Sequence, residues 1–202
     1  MSGRIITARH GRPDLSREVR LSAKEYGAWW STYEETSLHD DETPPDALKA
    51  IAAEATHLWS SVRPRAIETA RRAADFGREP KEDALFVEMP LPPPPLPLVK
   101  LKAGTWNVLS RIFWFIGYAP RGVESHLAAW RRIRAAAARL EEGADDGDVL
   151  LCAHGYFNWM MDVHLTRNGW RRVDRAGGNR YWSFRVYEPH GVRAAAPAAE
   201  PA

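Results

Sequence analysis

The chain has a single cysteine, Cys152, in 202 residues. A lone thiol excludes an intramolecular disulfide and any multi-cysteine metal centre, and it fits a reducing compartment. Long apolar runs are also missing. Nothing approaches the roughly 18 residues that cross a bilayer, and the opening stretch MSGRIITARHGRPD lacks the apolar region of a secretory signal. A soluble, cytoplasmic protein without a membrane span is expected. Neither charge sign is in excess: 28 Lys and Arg stand against 26 Asp and Glu, a net +2. Total charge therefore points to neither nucleic acid nor an anionic membrane, and any anion site must be local. His39, His57, His126, His164 and His190 lack the His-x-x-x-His or Asp-rich spacing that gathers metal ligands on one helical face, so no metal site is expected. There is no internal repeat, and the length fits one domain, 1–193. The tail 194–202, AAAPAAEPA, cannot bury itself and is expected to be disordered.

What is present alternates. Arg4 to Ala8 is a short β-branched run ending at a Gly-Arg-Pro turn and is expected to be a buried strand. Asp46 to Ala55 has helical spacing after a Pro-Pro-Asp start, His57 to Ser60 reads as a second strand, and a helix follows from Pro64 to Phe76. Ala84 to Val87 is expected to be a third strand. It leads into the insert 89–121, where LPPPPLPL must be an extended connector because consecutive prolines cannot donate to a ladder. Trp106 to Tyr118, WNVLSRIFWFIGY, is too short to span a membrane and reads as a buried or lid helix, with a helix lying in a membrane interface as the alternative. Gly122 to Glu142 is expected to be the longest helix, and Asp148 to Ala153 is a continuously apolar strand. A helix over Tyr156 to Leu165 and a last strand over Arg180 to Tyr187 complete the pattern. Strands alternating with helices imply a largely parallel sheet covered on both faces, with ligands bound beyond the carboxyl ends of its strands.

Three of these strands end in polar groups: Arg9-His10-Gly11, Ser60-Ser61 leading to Arg65, and His154-Gly155. Neighbouring cations disfavour a protonated imidazole, which suits His10 to a role as neutral nucleophile. Planar, permanently charged guanidiniums bind the nonbridging oxygens of a phosphoryl group. A neutral imidazole can attack phosphorus and divide one displacement into two through a phosphohistidine. Arg12 is a candidate substrate contact or a solvated turn residue. Ser61 could donate to phosphate or cap the following helix. Gly155 would let the backbone approach an anion, and Asn158 is a further candidate contact.

Arg9-His10-Gly11 resembles the RHG signature of the histidine phosphatase superfamily, in its phosphoglycerate mutase-like branch. Ser60 to Ala70, SSVRPRAIETA, is similar to that family's second motif, and Ala153-His154-Gly155 to its late His-Gly motif. The resemblance implies a three-layer α/β/α fold with a mostly parallel sheet. It also implies that His10 is the phosphorylated nucleophile and that Arg9, Arg65 and His154 surround the phosphoryl group. A carboxylic acid protonates the leaving oxygen in this family, and Glu88 stands in the matching place. There the chain departs from the family pattern by continuing into Met89-Pro90-Leu91-Pro92, which leaves Glu124 as the reserve candidate. The expected activity is metal-independent and cofactor-free hydrolysis of a small phosphomonoester. A phosphomutase, or a catalytically silent phosphate-binding or interaction module, is the alternative. The aromatics of the insert, if it is a lid, imply a leaving group of apolar character. Substrate identity and oligomeric state are left open by the sequence.

Overall fold

The structure, a computed structural model, describes residues 3–190; the tail expected to be disordered lies outside them. In chain order the elements are β1 (Ile5–Arg9), β2 (Arg20–Leu21), α1 (Ala23–Glu34), α2 (Asp46–Glu54), β3 (His57–Ser61), α3 (Pro64–Ala73), β4 (Lys81–Asp83), β5 (Leu101–Lys102), α4 (Ala103–Phe115), α5 (His126–Ala144), β6 (Val149–Ala153), α6 (Gly155–Arg167), β7 (Trp170–Ala176) and β8 (Phe184–Pro189). Six strands form the central sheet in the order β4-β3-β6-β1-β8-β7. The first four run parallel, while β8 is antiparallel to both β1 and β7.

The apolar strands are buried on both faces because each face has its own core. Ile5, Trp59, Val149 and Leu151 pack with α5 and α6, whereas Ile6, Ala8, Leu58, Leu150 and Cys152 pack with α2 and α3. This two-sided burial is why β1 and β6 read as unbroken apolar runs. It also pushes the Cys152 thiol up to about 12, which makes it chemically inert at neutral pH. Among the described residues no helix is long and apolar enough to cross a membrane.

Three departures from the sequence expectations have physical reasons. Ala84–Phe86 is a 3₁₀ turn rather than a strand, held by the Asp83 side chain accepting from the Leu85 N–H at 2.9 Å; the strand is the polar Lys81–Asp83 before it, an edge strand whose exposure removes any apolar signal. The final strand starts at Phe184, and its partner β7 has no counterpart in the expectations because only Trp170 of its seven residues is buried. Helix α1 has none either. Its Ser22 and Glu25 form a capping box, and Tyr26, Trp29 and Tyr33 pack with Ala103 and Trp106 in a third apolar cluster. The insert is thereby tied to the segment before it: the Trp106 indole donates to the Leu21 carbonyl at 2.7 Å and the Tyr26 hydroxyl to Asn107 Oδ1 at 2.7 Å. Residues 90–96 have neither helix nor strand, as a connector requires, but the run ends in a turn at 97–98, and Leu91, Pro92 and Pro94 are buried rather than laid on the surface.

Candidate active site

Parallel pairing brings the ends of β1, β3 and β6 side by side, and the chemistry-bearing residues follow directly. His10 continues the pairing by one bond, its N–H donating to the Ala153 carbonyl at 3.0 Å. Its Nδ1 lies 2.7 Å from the Gly11 carbonyl oxygen. A carbonyl can only accept, so Nδ1 carries the proton and Nε2 keeps its lone pair. The next N–H, that of Gly11, donates to Thr69 Oγ1 at 3.0 Å, and the Thr69 hydroxyl donates to the Arg65 carbonyl at 2.6 Å, which locks the loop to α3. Trp182 packs so closely that a Cβ on Gly11 would stand 2.5 Å from its ring. Trp182 itself has φ of 61°, a left-handed conformation that costs a bulky residue about 1–3 kcal/mol and that surrounding structure must enforce.

His154 follows β6, its ring centroid 5.3 Å from that of His10. Its Nε2 is 2.9 Å from Ser61 Oγ, and its buried Nδ1 has no partner. Ser61 therefore positions His154 instead of capping α3, whose N-cap is Arg63, with no side-chain cap bond and Pro64 opening the helix. Arg65 is wholly buried and donates to the Tyr33 carbonyl (2.8 Å), the Glu34 carbonyl (3.0 Å) and Glu34 Oε1 (2.8 Å). Arg9 donates to the Asn179 carbonyl and stacks on Tyr181, with 4.7 Å from Cζ to the ring centroid. The Nε atoms of both arginines are buried without a partner. Gly155 lets Arg9 come close: a Cβ there would lie 3.1 Å from Arg9 Nε, so a side chain at 155 would make the guanidinium shift by a few tenths of an ångström.

Several of these groups face a cavity of about 520 Å³. His10, Arg9, Arg65, Glu88, Gly155 and Asn158 all line it, and Asn158 presents a buried, unpartnered Oδ1. His154 and Ser61, both fully buried, do not line it. Two further sequence candidates fall elsewhere. Arg12 points to Glu42, pairing with its Oε1 at 3.2 Å, and lines a neighbouring recess. Glu124 is held by both Arg132 Nε (2.9 Å) and Nη2 (2.8 Å) and does not line the cavity. Glu88 sits at the start of α6, where its carboxylate accepts from the N–H groups of Met89 (2.9 Å), Tyr156 (3.1 Å) and Phe157 (2.9 Å). The positive end of the helix holds it at the cavity wall.

The family model of the histidine phosphatase superfamily (branch 1) matches residues 5–195. The chain belongs to that superfamily. No curated protein sequence matches it. Among solved structures it is similar in fold to a functionally characterised open-reading-frame product of Mycobacterium tuberculosis (19% identity, 98% of this chain and 97% of that one, TM-score 0.58). It is similar also to a mycobacterial glucosyl-3-phosphoglycerate phosphatase in complex with VO3 (20%, 96% and 100%, 0.58). A phosphoserine phosphatase mutant from Entamoeba histolytica is more distant (14%, 82% and 80%, 0.51).

Within this histidine phosphatase site several residues escaped the sequence reading. Arg17 lines the cavity, donates to the Tyr33 hydroxyl and lies over the Tyr33 and Tyr181 rings at 5.1 and 5.5 Å, with its Nε buried and unpartnered. Arg111, Tyr33, Asn179 and Arg185 also line it. No motif marks them, but the spacing Tyr26, Trp29, Trp30, Tyr33 is helical and could have revealed α1 and with it the support of Arg65. Among the described residues no three His, Cys, Asp or Glu side chains gather as metal ligands would.

Burial, reinforced by the positive charges of Arg65 and Arg9, holds His10 well below the ordinary imidazole range. Burial and then Arg65 do the same to His154. Both rings are neutral at neutral pH. The unfolded chain takes up protons at these positions below about pH 6.5 while the folded chain resists, so stability is lost as pH falls below that value. Each histidine adds a slope of up to ~1.4 kcal/mol per pH unit until its folded-state value is reached. Urea unfolding at a series of pH values checks this: His154→Gln should flatten the slope by one site, and an unchanged slope would show that His154 is protonated in the folded chain.

Proposed function

We propose that the protein is a phosphomonoester hydrolase working through a phosphohistidine on His10. The observation that carries this reading is the His10 tautomer: Nδ1 donates to the Gly11 carbonyl, which leaves a neutral Nε2 beside arginines whose Nε donors have no other partner. In the first step the Nε2 lone pair forms a bond to phosphorus as the bond to the ester oxygen breaks. Positive charge appears on the imidazole, where the Gly11 carbonyl accepting from Nδ1 stabilises it. Arg9, Arg65 and the Nδ1 side of His154 hold the nonbridging oxygens and the charge that grows on them. Glu88, whose carboxylate accepts three N–H groups in the free protein, takes up a proton as the phosphate anion binds beside it and gives that proton to the departing alkoxide. Water then attacks phosphorus, Glu88 takes the proton of that water, and the P–N bond electrons return to Nε2. Phosphate leaves and the starting state is restored. Membership of the superfamily supports the reading, as does the likeness to folds that carry phosphatases.

Turnover of an aryl phosphate and of an alkyl phosphate, with and without chelator, tests it. The wild-type chain should hydrolyse both without loss on chelation, and rapid quench should trap acid-labile, alkali-stable phosphate; His10→Ala should abolish turnover and trapping. Glu88→Gln should lower kcat/KM for the alkyl phosphate by about 10²- to 10⁴-fold and spare kcat/KM for the aryl phosphate, whose leaving group needs no proton, while kcat falls for both because the shared hydrolysis step loses its base. Equal losses of kcat/KM on both substrates would remove Glu88 from the role of acid, and absence of turnover and trapping across a varied substrate panel would overturn the hydrolase.

Arg17 is assigned here as a third cation of the phosphate site. Arg17→Ala should cut kcat/KM about 10- to 100-fold and weaken competitive inhibition by inorganic phosphate in proportion, the scale of a lost charge-assisted hydrogen bond. Arg17→Lys should recover only part of it, since an ammonium cannot reproduce the planar fork. Phosphate inhibition unchanged in Arg17→Ala would confine Arg17 to a packing role against Tyr33 and Tyr181.

A further inference from the structure

Helix α4 forms one wall of the cavity and carries a surface that water should disfavour. Its buried face is Ala103, Trp106, Ser110 and Trp114. On its outer side Val108, Ile112, Phe115 and the following Ile116 are 60%, 51%, 55% and 72% exposed. These positions fall at i, i+4, i+7 and i+8, so they form one stripe along the helix rather than scattered exposures. From Ala103 to Ala119 the only charged residue is Arg111. Arg111 is turned onto the Tyr156 ring, 3.9 Å from Cζ to its centroid, and donates to the Met89 carbonyl at 3.2 Å. Solvent-facing helix surfaces normally carry charges, and a contiguous apolar patch marks a binding surface.

The stripe is continuous with the catalytic cavity. Val108 and Ile112 line the cavity and are exposed, so its apolar wall passes over the rim without interruption. Opposite them stand Trp30, Leu91, Tyr156 and Trp159, the last two with ring centroids 5.1 Å apart. The polar groups that bind phosphate, Arg9, His10 and Arg65, follow the ends of β1 and β3, whereas the apolar residues come from α1, α4, α6 and the connector before α4. A ligand matching both regions has a phosphate at one end and an aliphatic body at the other. From Val108 to Ile116 the helix rises ~12 Å, room for a chain of medium length beyond the rim.

We infer that the substrate is an amphiphilic phosphomonoester, an alkyl, acyl-glyceryl or prenyl phosphate, whose chain leaves the cavity between α4 and α6 and lies along Val108, Ile112, Phe115 and Ile116. The inference rests on the phosphatase reading and deepens it. Chain binding adds apolar burial to both ground and transition states, so it acts mainly by lowering KM.

The test is kcat/KM for ethyl, butyl, hexyl, octyl and decyl phosphates, each below its aggregation concentration, with the light-scattering mass of the protein and its sedimentation with phosphatidylcholine vesicles measured alongside. Each added methylene should raise kcat/KM by roughly two- to fourfold, the range for partial to full burial, until the chain passes the end of the stripe. Phe115→Ser with Ile116→Ser should remove the gain from hexyl to decyl while the gain from ethyl to hexyl persists. Turnover of the series at equal efficiency would overturn the inference and leave the hydrolase intact; no turnover of any member, with no trapped phosphate, would overturn the hydrolase itself. Chain-length independence accompanied by dimerisation or vesicle binding that the double variant abolishes would reassign the stripe to a second copy or a membrane surface, and would also overturn the inference.

Discussion

The fully buried guanidinium of Arg65 is the constraint on which the site depends. A buried cation is tolerated only when its donors find acceptors, and removing those acceptors leaves an uncompensated charge costing several kcal/mol. Arg65 finds them at the end of α1, in the carbonyls of Tyr33 and Glu34 and in the Glu34 carboxylate. Those carbonyls belong to the last turn of a helix, where the regular i+4 pairing ends, the Tyr33 carbonyl accepting a long bond from the Thr36 N–H at 3.4 Å, and where the helix dipole favours positive charge. Glu34 also pairs with Arg63 at 2.7 Å, so one carboxylate orders both arginines of the loop between β3 and α3. Burial keeps both the His10 and His154 rings neutral, the charge thus fixed beside them adds to it, and the Arg65 Nε–H has no partner and is open to an anion.

This arrangement separates two tasks across the fold. The parallel sheet supplies position: β1, β3 and β6 deliver Arg9, His10, Ser61 and His154 to one edge, with backbone and side-chain bonds that leave little freedom. The helices outside the sheet supply environment. α1 balances Arg65, α6 holds Glu88 at its positive end, and α4 closes the wall with apolar residues. On the proposed reading, chemistry sits at the sheet edge, and selectivity on the part built from α1, α4 and the proline connector.

How much of this was legible in the sequence follows from the same division. β1, β3 and β6 are buried on both faces, so their apolar runs and the polar residues ending them announce themselves, and Arg9, His10, Arg65 and Gly155 line one cavity at those ends. Glu88, which only the family resemblance singles out in the sequence, lines it as well, with Asn158. Arg12 did not join them, because Glu42, a residue from a distant loop, draws it into the adjoining recess. Side-chain partners thirty residues apart leave no periodic signature. Glu124 is held instead by Arg132, eight residues on within α5, a pairing that helical spacing does not announce because Glu124 precedes the helix. Ser61 shows a subtler limit: a serine before a helix reads as a cap, yet the helix begins at Pro64 and the hydroxyl turns to His154. β4 and β7 were missed because exposed edge strands carry polar residues, while α1 was legible in its aromatic spacing and went unread.

The central claim is that His10 is held neutral with its proton on Nδ1 and its lone pair on Nε2. Nitrogen-15 NMR of the histidine rings, with His10 assigned by difference against His10→Gln, measures this directly. The account predicts a protonated Nδ1 and an unprotonated Nε2 for His10 at neutral pH and on through the pH near 6.5 at which an exposed histidine takes up its proton. An imidazolium at neutral pH, or the opposite tautomer, would contradict it.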